Sequence, residues 1–210
     1  MIYLATPANA DRLSVYQQYG IGVMMTPMTG NRITWVQQHP CWAADNGCFS
    51  HSERFCLDRY LDWLMRMQPI QGNCLFATAP DVLADPVLTW ERSCDVLPEI
   101  RALGYRAALV AQDGIERMTI DWDTFDVLFV GGTTHWKLSE AAFALAGAAR
   151  RAGKWVHMGR VNSQRRLLAA HVGGYNSVDG TLLAFGPDVK LKLLCSWLPG
   201  LRRQPSLILV

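Results

Sequence analysis

Three aspartates each close a short apolar run and open a turn: Asp45 in Cys41-Trp-Ala-Ala-Asp-Asn-Gly, Asp81 in Leu75-Phe-Ala-Thr-Ala-Pro-Asp and Asp179 in Asn176-Ser-Val-Asp-Gly-Thr. If the apolar runs are strands, these are carboxylates at strand C-terminal ends, where a β/α barrel assembles its chemistry. Acids from distant parts of the chain would then meet over one substrate. One carboxylate can attack an electron-poor carbon while another moves a proton, which is the chemistry of glycosyl transfer. Taken singly, each has a plainer explanation, because Asp-Gly and Asn-Gly are ordinary turn formers and Asp81 or Asp85 can cap a following helix.

The elements that must position these residues are legible as an alternation of short apolar runs with amphipathic stretches. Strands are predicted at Ile2–Ala5, Gly22–Met25, Cys41–Ala44, Cys74–Thr78, Ala107–Ala111, Val127–Val130, Trp155–Met158 and Ser177–Val178. Helical patterns lie between several of them, at Glu53–Met67, Pro86–Leu103, Ser139–Ala152 and Ser163–Val172. Ser139 and Ser163 suit N-caps, and Gly104, Gly153 and Gly173 suit the residue just past a helix end. Eight strands with crossover helices predict the α/β class and a compact (β/α)8 TIM barrel, with an open doubly wound sheet as the alternative. The chain reads as a single domain over 1–210, in which 182–210 is a C-terminal tail carrying a helix at Val189–Leu198. On this frame other polar positions also follow strands: Gln112-Asp113-Gly114, Gly131-Gly132-Thr133, and Gly159-Arg160 with Asn162. Met24, Met25 and Met28 read as barrel lining or pocket wall, and His157, mid-strand in an apolar run, as a satisfied core histidine.

Composition narrows the setting. Of 210 residues, 50% are hydrophobic and 18% charged, enough apolar material for a large core and far from a disordered composition. A net charge of +2 favours no polyanion, yet Arg150, Arg151, Lys154, Arg160, Arg165, Arg166, Lys190, Lys192, Arg202 and Arg203 make the second half basic. Such a surface suits a nucleic acid, and equally suits solvated helix faces. The six cysteines form no CxxC pair and no cluster with histidine at metal spacing, so no metal or other cofactor is expected. With no signal peptide and no apolar span of membrane length, the expectation is a reduced cytoplasmic protein.

Taken in order, the motifs resemble the queuine/archaeosine tRNA-guanine transglycosylase superfamily, and most of all its small phage and genomic-island members that place 7-deazaguanines in DNA. The resemblance spans roughly Trp42 to Pro187. Asp45-Asn-Gly-Cys-Phe is similar to the family's Asp-Ser-Gly-Gly-Phe, and Val110-Ala-Gln-Asp-Gly to Val-Gln-Gly-Gly. Phe129-Val-Gly-Gly-Thr-Thr-His-Trp-Lys, His157-Met-Gly-Arg-Val-Asn-Ser and Asn176-Ser-Val-Asp-Gly-Thr resemble the DNA-modifying branch. The resemblance implies Asp179 as the nucleophile at C1′ and Asp45 as the general acid/base. It implies Asp81 as the reader of the purine amidine edge, Gln112 as a contact to the six-position oxygen, and the Gly131-Gly132 backbone lying close to the flat base. Phe49 is a stacking candidate with a core role as its alternative. The family's Cys-x-Cys-x-x-Cys…His zinc motif has no counterpart, so no zinc subdomain is expected.

Trp136, Lys137, Arg160, Asn162, Arg165 and Arg166 would then hold phosphates around a flipped-out nucleotide, with helix-surface packing as the alternative for Trp136 and Arg166. His51 and His135 lie near the same loops, and nothing in the sequence makes either a base. The implied partners are guanine-containing DNA and a 7-deazaguanine such as the 7-cyano form, in the cytoplasm, which is the host's if the chain is phage-encoded. A homo-oligomer is compatible with the sequence. Three alternatives stand beside this reading: a tRNA-directed transglycosylase, a non-catalytic base- or nucleic-acid-binding barrel, and a hydrolase of free nucleosides.

Overall fold

The computed structural model describes residues 1–7, 12–27, 33–37, 39–48 and 55–203. Eight parallel strands close into a barrel in sequence order, and β1 (Ile2–Ala5) pairs with β8 (Ser177–Gly180) to complete the ring. Between them lie β2 (Gly22–Met25), β3 (Trp42–Ala44), β4 (Cys74–Thr78), β5 (Ala107–Ala111), β6 (Val127–Val130) and β7 (Trp155–Met158). The helices are α1 (Leu13–Gln18), α2 (Ile33–Val36), α3 (Leu57–Met67), α4 (Pro86–Ser93), α5 (Val96–Ala102), α6 (Thr134–Lys137), α7 (Glu140–Arg151), α8 (Gln164–Val172) and α9 (Pro187–Arg203). The protein is a (β/α)8 barrel, and the open-sheet alternative falls away because β1 and β8 are hydrogen-bonded neighbours.

Strand periodicity explains how the barrel is filled. Successive side chains on a strand point to opposite faces. Leu4, Met24, Ala43, Phe76, Ala108 and Val127 form the inner core with Phe129 and Trp155. The alternate residues, among them Tyr3, Val23, Met25, Trp42, Ala44, Ala77, Leu109, Leu128 and Val156, pack outward against the helices. Met24 therefore lines the barrel as expected, while Met25 belongs to the outer layer; Met28 lies outside the described residues.

The helix boundaries follow local chemistry. Ser139 and Ser163 cap α7 and α8 by accepting the backbone N–H groups of Ala142 and Arg166. Asp85 caps α4 through Val87 and Leu88, whereas Asp81 caps nothing and turns inward. The single helix expected at Pro86–Leu103 is two, broken at Cys94-Asp95. Pro98 has no N–H to bond back to the carbonyl of residue 94, so it is accommodated only in the first turn of a new helix. Gly104 and Gly153 take the left-handed conformation expected past a helix end, with φ of 89° and 72°. After α8 that conformation falls on Gly174, one residue beyond the expected Gly173. The helix expected at Glu53–Met67 begins at Leu57, and residues 53 and 54 lie outside the described set. β8 runs two residues past its expected end, so Asp179 is a strand residue rather than a turn residue. In the tail, α9 packs Leu191, Leu194, Trp197 and Leu198 onto the outer core. Among the described residues no helix is long and apolar enough to cross a membrane.

Candidate active site

The inward register of six strands runs up to the C-terminal rim, and from five of them it leads straight into one pocket. Ala43 is followed on its face by Asp45, Phe76 by Thr78, Val110 by Gln112, Phe129 by Gly131, His157 by Gly159, and Ser177 by Asp179. Asp45, Thr78, Gln112, Gly131 and Asp179 all line that pocket, with Asn46, Asp81, Leu83, Val110, Phe129 and Arg160. Asp45, Asp81 and Asp179, separated by as much as the stretch from the third strand to the eighth, thus share one cavity.

Each carboxylate is held differently. Asp45 accepts the Gly47 N–H at 2.9 Å, a tight turn that needs the left-handed φ of 81° at Gly47. Burial pushes the Asp45 carboxyl up to about 7, and the charges of Asp179 and Asp81 push the same way against the Gly47 hydrogen bond. Asp81 accepts Asn46 Nδ2 at 3.3 Å and Gln112 Nε2 at 2.8 Å. Burial also raises the Asp81 carboxyl, with the Asn46 hydrogen bond and the Arg160 charge opposing it. Asp179 accepts His157 Nε2 at 3.0 Å and the Arg160 backbone N–H at 3.3 Å to each oxygen.

The polar frame around them is closed. Asn46 donates to Ala79 O at 2.7 Å and accepts the Cys48 N–H at 2.6 Å, while its own N–H bonds Thr78 Oγ1. Gln112 is engaged at both ends, since its Oε1 accepts the Ala84 N–H at 3.0 Å and its Nε2 donates to Asp81. In this structure Gln112 therefore orients Asp81, and Asp81 is the group that faces the pocket with acceptor capacity. Ala84 and Arg160 both have φ of 59°, a conformation that costs an L-residue about 1–3 kcal/mol and concentrates at functional sites. At Arg160 this turn aims the backbone N–H at Asp179, while the guanidinium donates to the carbonyls of Gly131, at 2.7 Å, and Gly132.

Gly131 lies on the pocket wall, where a Cβ would stand 2.7 Å from Val110 Cγ1. Gly132 is absent from the lining, and its missing side chain instead makes room for the Trp136 ring and the Asp113 carboxylate. Asp113 anchors the same loop by accepting the N–H and hydroxyl of Thr133, both at 2.6 Å.

The expected phosphate contacts divide. Trp136 and Lys137 are buried, which corrects their assignment to a nucleic-acid surface. Trp136 Nε1 donates to Glu116 at 3.1 Å, and Lys137 Nζ donates to Gly159 O at 2.6 Å. The one-turn helix α6, capped by Thr133, folds back under the rim and carries both side chains inward. Burial, helped by the charges of Arg160 and Arg166, brings the Lys137 ammonium down to about 7 against the pull of Asp179. Arg160 turns into the pocket. Arg165 is exposed, Arg166 is half-buried and donates to Arg160 O at 2.9 Å, and Asn162 donates to Thr181 Oγ1 at 3.2 Å. Phe49 and His51 lie outside the described residues. Among the described residues no group of three or more His, Cys, Asp or Glu side chains is placed to hold a metal ion, and all six cysteines are free thiols.

Asn46, Thr78, Leu83, Val110 and Phe129 line the pocket without having been expected there, and the contact between His157 and Asp179 was not expected either. A signal for the last was present. Ser177 and Asp179 are two apart on one strand and so share its inner face, next to the polar inward position of β7.

Fold and site together define a (β/α)8 barrel with an acid-rich pocket at the C-terminal ends of its strands. No family model matches the chain, and no curated protein does. Among solved structures it is similar to tryptophan synthase from M. tuberculosis in its ligand-free form, with a TM-score of 0.61 and 13% identity over 97% of this chain and 92% of that one. It is also similar to dihydrodipicolinate synthase from Oceanobacillus iheyensis, with a TM-score of 0.55 and 12% identity over 96% of this chain and 74% of that one. A protein of Aquifex aeolicus VF5 gives a TM-score of 0.59 at 12% identity over 96% and 90%. At these identities the likeness is one of fold.

Proposed function

We propose that the protein is a base-exchange glycosyltransferase that replaces guanine in DNA with a 7-deazaguanine base. The observation that carries the reading is the meeting of Asp45, Asp81 and Asp179 in one pocket, with Asp45 held up to about 7. An acid poised near neutrality can give a proton and take it back, which is what a leaving purine and then an incoming one require. The basic residues on the same rim, Arg165 and Arg166, suit the phosphates on either side of an extruded nucleotide.

In the first half-reaction the Asp179 carboxylate attacks C1′, the C1′–N9 bond breaks, and Asp45 protonates the departing guanine. In the second, the Asp45 carboxylate removes a proton from the incoming base. The freed nitrogen attacks C1′ and the Asp179 ester bond breaks. Protons and bonds balance over the cycle, and no nucleotide triphosphate is consumed. Two displacements at one carbon retain its configuration. Asp81, fixed by Asn46 and Gln112, presents a carboxyl to the amidine edge of the base, and Gly131 admits its flat face. The barrels reported above bear on the fold only, so this reading rests on the pocket and on the motifs that resemble the transglycosylases.

The test is incubation of the protein with duplex DNA and candidate 7-deazaguanines, followed by nucleoside digestion and mass spectrometry, with tRNA in parallel. A 7-deazaguanine deoxynucleoside formed by the wild type and not by Asp179→Asn supports the proposal. Incorporation into tRNA alone overturns the DNA assignment. Incorporation into neither, with the bases still bound, points to a binding barrel.

A further inference from the structure

Beneath the pocket lies a buried hydrogen-bonded chain that the mechanism above does not use. Trp155 Nε1 meets Ser177 Oγ at 2.8 Å, Ser177 Oγ meets His157 Nδ1 at 2.8 Å, and His157 Nε2 meets Asp179 Oδ1 at 3.0 Å. Its direction follows from donor chemistry. The Asp179 carboxylate can only accept, so the ring nitrogen that faces it donates, and Ser177 Oγ, which accepts from the Trp155 indole, gives its proton to His157 Nδ1. Nδ1 is then the acceptor, Nε2 carries the ring proton, and that proton points at the Asp179 carboxylate. The surroundings hold the ring neutral. His157 is fully buried among the Phe76 and Phe129 rings, at centroid distances of 5.0 and 4.4 Å, and burial outweighs the pull of Asp179 to lower its affinity for a second proton.

Serine, histidine and aspartate are the residue types of a hydrolytic triad, but here they run the other way. Ser177 is wholly buried and absent from the pocket wall, so the hydroxyl is out of reach of any substrate. The member that faces the pocket is the carboxylate. Its two oxygens are unequal, because among the described residues Oδ1 takes both the His157 bond and an Arg160 N–H contact, whereas Oδ2 has the 3.3 Å contact to Arg160 N alone.

Resting on the reading of Asp179 as nucleophile, we infer that His157 is a positioning residue, held in its Nε2–H tautomer between the Asp179 carboxylate and the Ser177 hydroxyl, which anchors Asp179 Oδ1 and leaves Oδ2 as the attacking oxygen. The anchor turns a carboxylate that could rotate about its last bond into one with a single aimed oxygen. Such orientation is worth large factors in rate, since a displacement of about 1 Å can cost 10²-fold.

Two measurements test the anchor. The first needs no substrate: ¹⁵N NMR of the histidine rings, together with isotope-edited infrared spectra of the aspartate carboxylates. The expected result is a neutral His157 with its proton on Nε2, and an Asp179 carboxylate band that moves in His157→Phe. A proton on Nδ1, or an unmoved band, overturns the anchor whatever the protein's substrate is. The second is the single-turnover rate of covalent adduct formation with guanine-containing DNA. His157→Phe, which keeps a ring in the aromatic layer, should slow it about 100-fold with KM nearly unchanged. His157→Gln, whose amide can donate to the same oxygen, should recover most of the loss, and Ser177→Ala should cost about tenfold. Thermal melts separate a folding defect from a positioning one, and if His157→Phe does not fold, His157→Gln and the wild-type spectra decide. His157→Phe reacting at the wild-type rate overturns the anchor. Failure of the wild type to form any adduct overturns the proposed function instead, and the spectra still decide the anchor.

Discussion

The two ends of the barrel use the same residue type to opposite ends. At the N-terminal end, Asp126 at the entrance to β6 accepts two hydrogen bonds from Arg101, at 2.8 and 3.0 Å, and one from the Ala107 N–H at 2.8 Å. Burial alone would raise its carboxyl, but these bonds and the Arg101 and Arg106 charges outweigh it and hold it below the usual carboxylate range. At the C-terminal end, burial raises Asp45 to about 7, and the charges of Asp179 and Asp81 in the same pocket add to it against a backbone N–H bond from Gly47. A paired aspartate ties a loop to a strand. A buried acid with like charge beside it is available for proton transfer, and the fold bears the cost of keeping it there. The contrast is the division expected of a β/α barrel, with stability at the bottom and chemistry at the top.

Substitutions at the two ends should have very different effects. Asp179→Asn should lower adduct formation by at least about 10³-fold, because the amide cannot serve as the nucleophile, while circular dichroism shows the fold intact. Asp45→Asn should lower kcat for base exchange by about 10²–10⁴-fold, the usual worth of a positioned acid/base. The wild-type rate should decline as pH rises through about 7, where Asp45 gives up its proton, and Asp45→Asn should lose that decline.

The same group predicts a pH-dependent stability. The folded carboxyl binds its proton more tightly than the unfolded one, whose value is about 3.9. The favourable contribution is therefore full below about pH 4 and lost as pH rises through about 7, to an extent of up to ~4 kcal/mol. Asp81, also raised, works in the same direction. Urea titrations should find Asp45→Asn more stable than wild type at about pH 8 and little different at about pH 4. At the other end of the barrel, Arg101→Ala should cost only about 1 kcal/mol, since the pair is about one-third exposed, and should leave base exchange unchanged. A large loss of exchange in Arg101→Ala would erase the distinction between the two ends.

The barrel was legible because β1 to β7 are short, mostly apolar runs bounded by turn formers, and because Ser139 and Ser163 mark helix starts by a local hydrogen bond. The convergence of Asp45, Asp81 and Asp179 was legible for the same reason: an acid that ends a barrel strand has only one rim to occupy. What escaped the sequence depends on partners far along the chain. Nothing local about Lys137 says that its ammonium will meet the Gly159 carbonyl inside the protein, since lysines in a basic half of a chain are ordinarily solvated. His157 looked like core because it is core; its function lies in the neighbour it meets across the β7–β8 pairing. Gln112, expected on the base, is tied to Ala84 and Asp81 by a loop conformation, φ of 59° at Ala84, that no alanine announces.

The central claim, that the C-terminal acids divide into a nucleophile and a proton carrier, is tested most directly by trapping the intermediate. The protein would be mixed with a guanine-containing oligonucleotide, quenched in acid, digested and mapped by mass spectrometry. The expected product is a deoxyribosyl ester on the peptide that carries Asp179, present in wild type and missing in Asp179→Asn. An ester on another residue, or none with DNA or tRNA under conditions where the base exchanges, would contradict it.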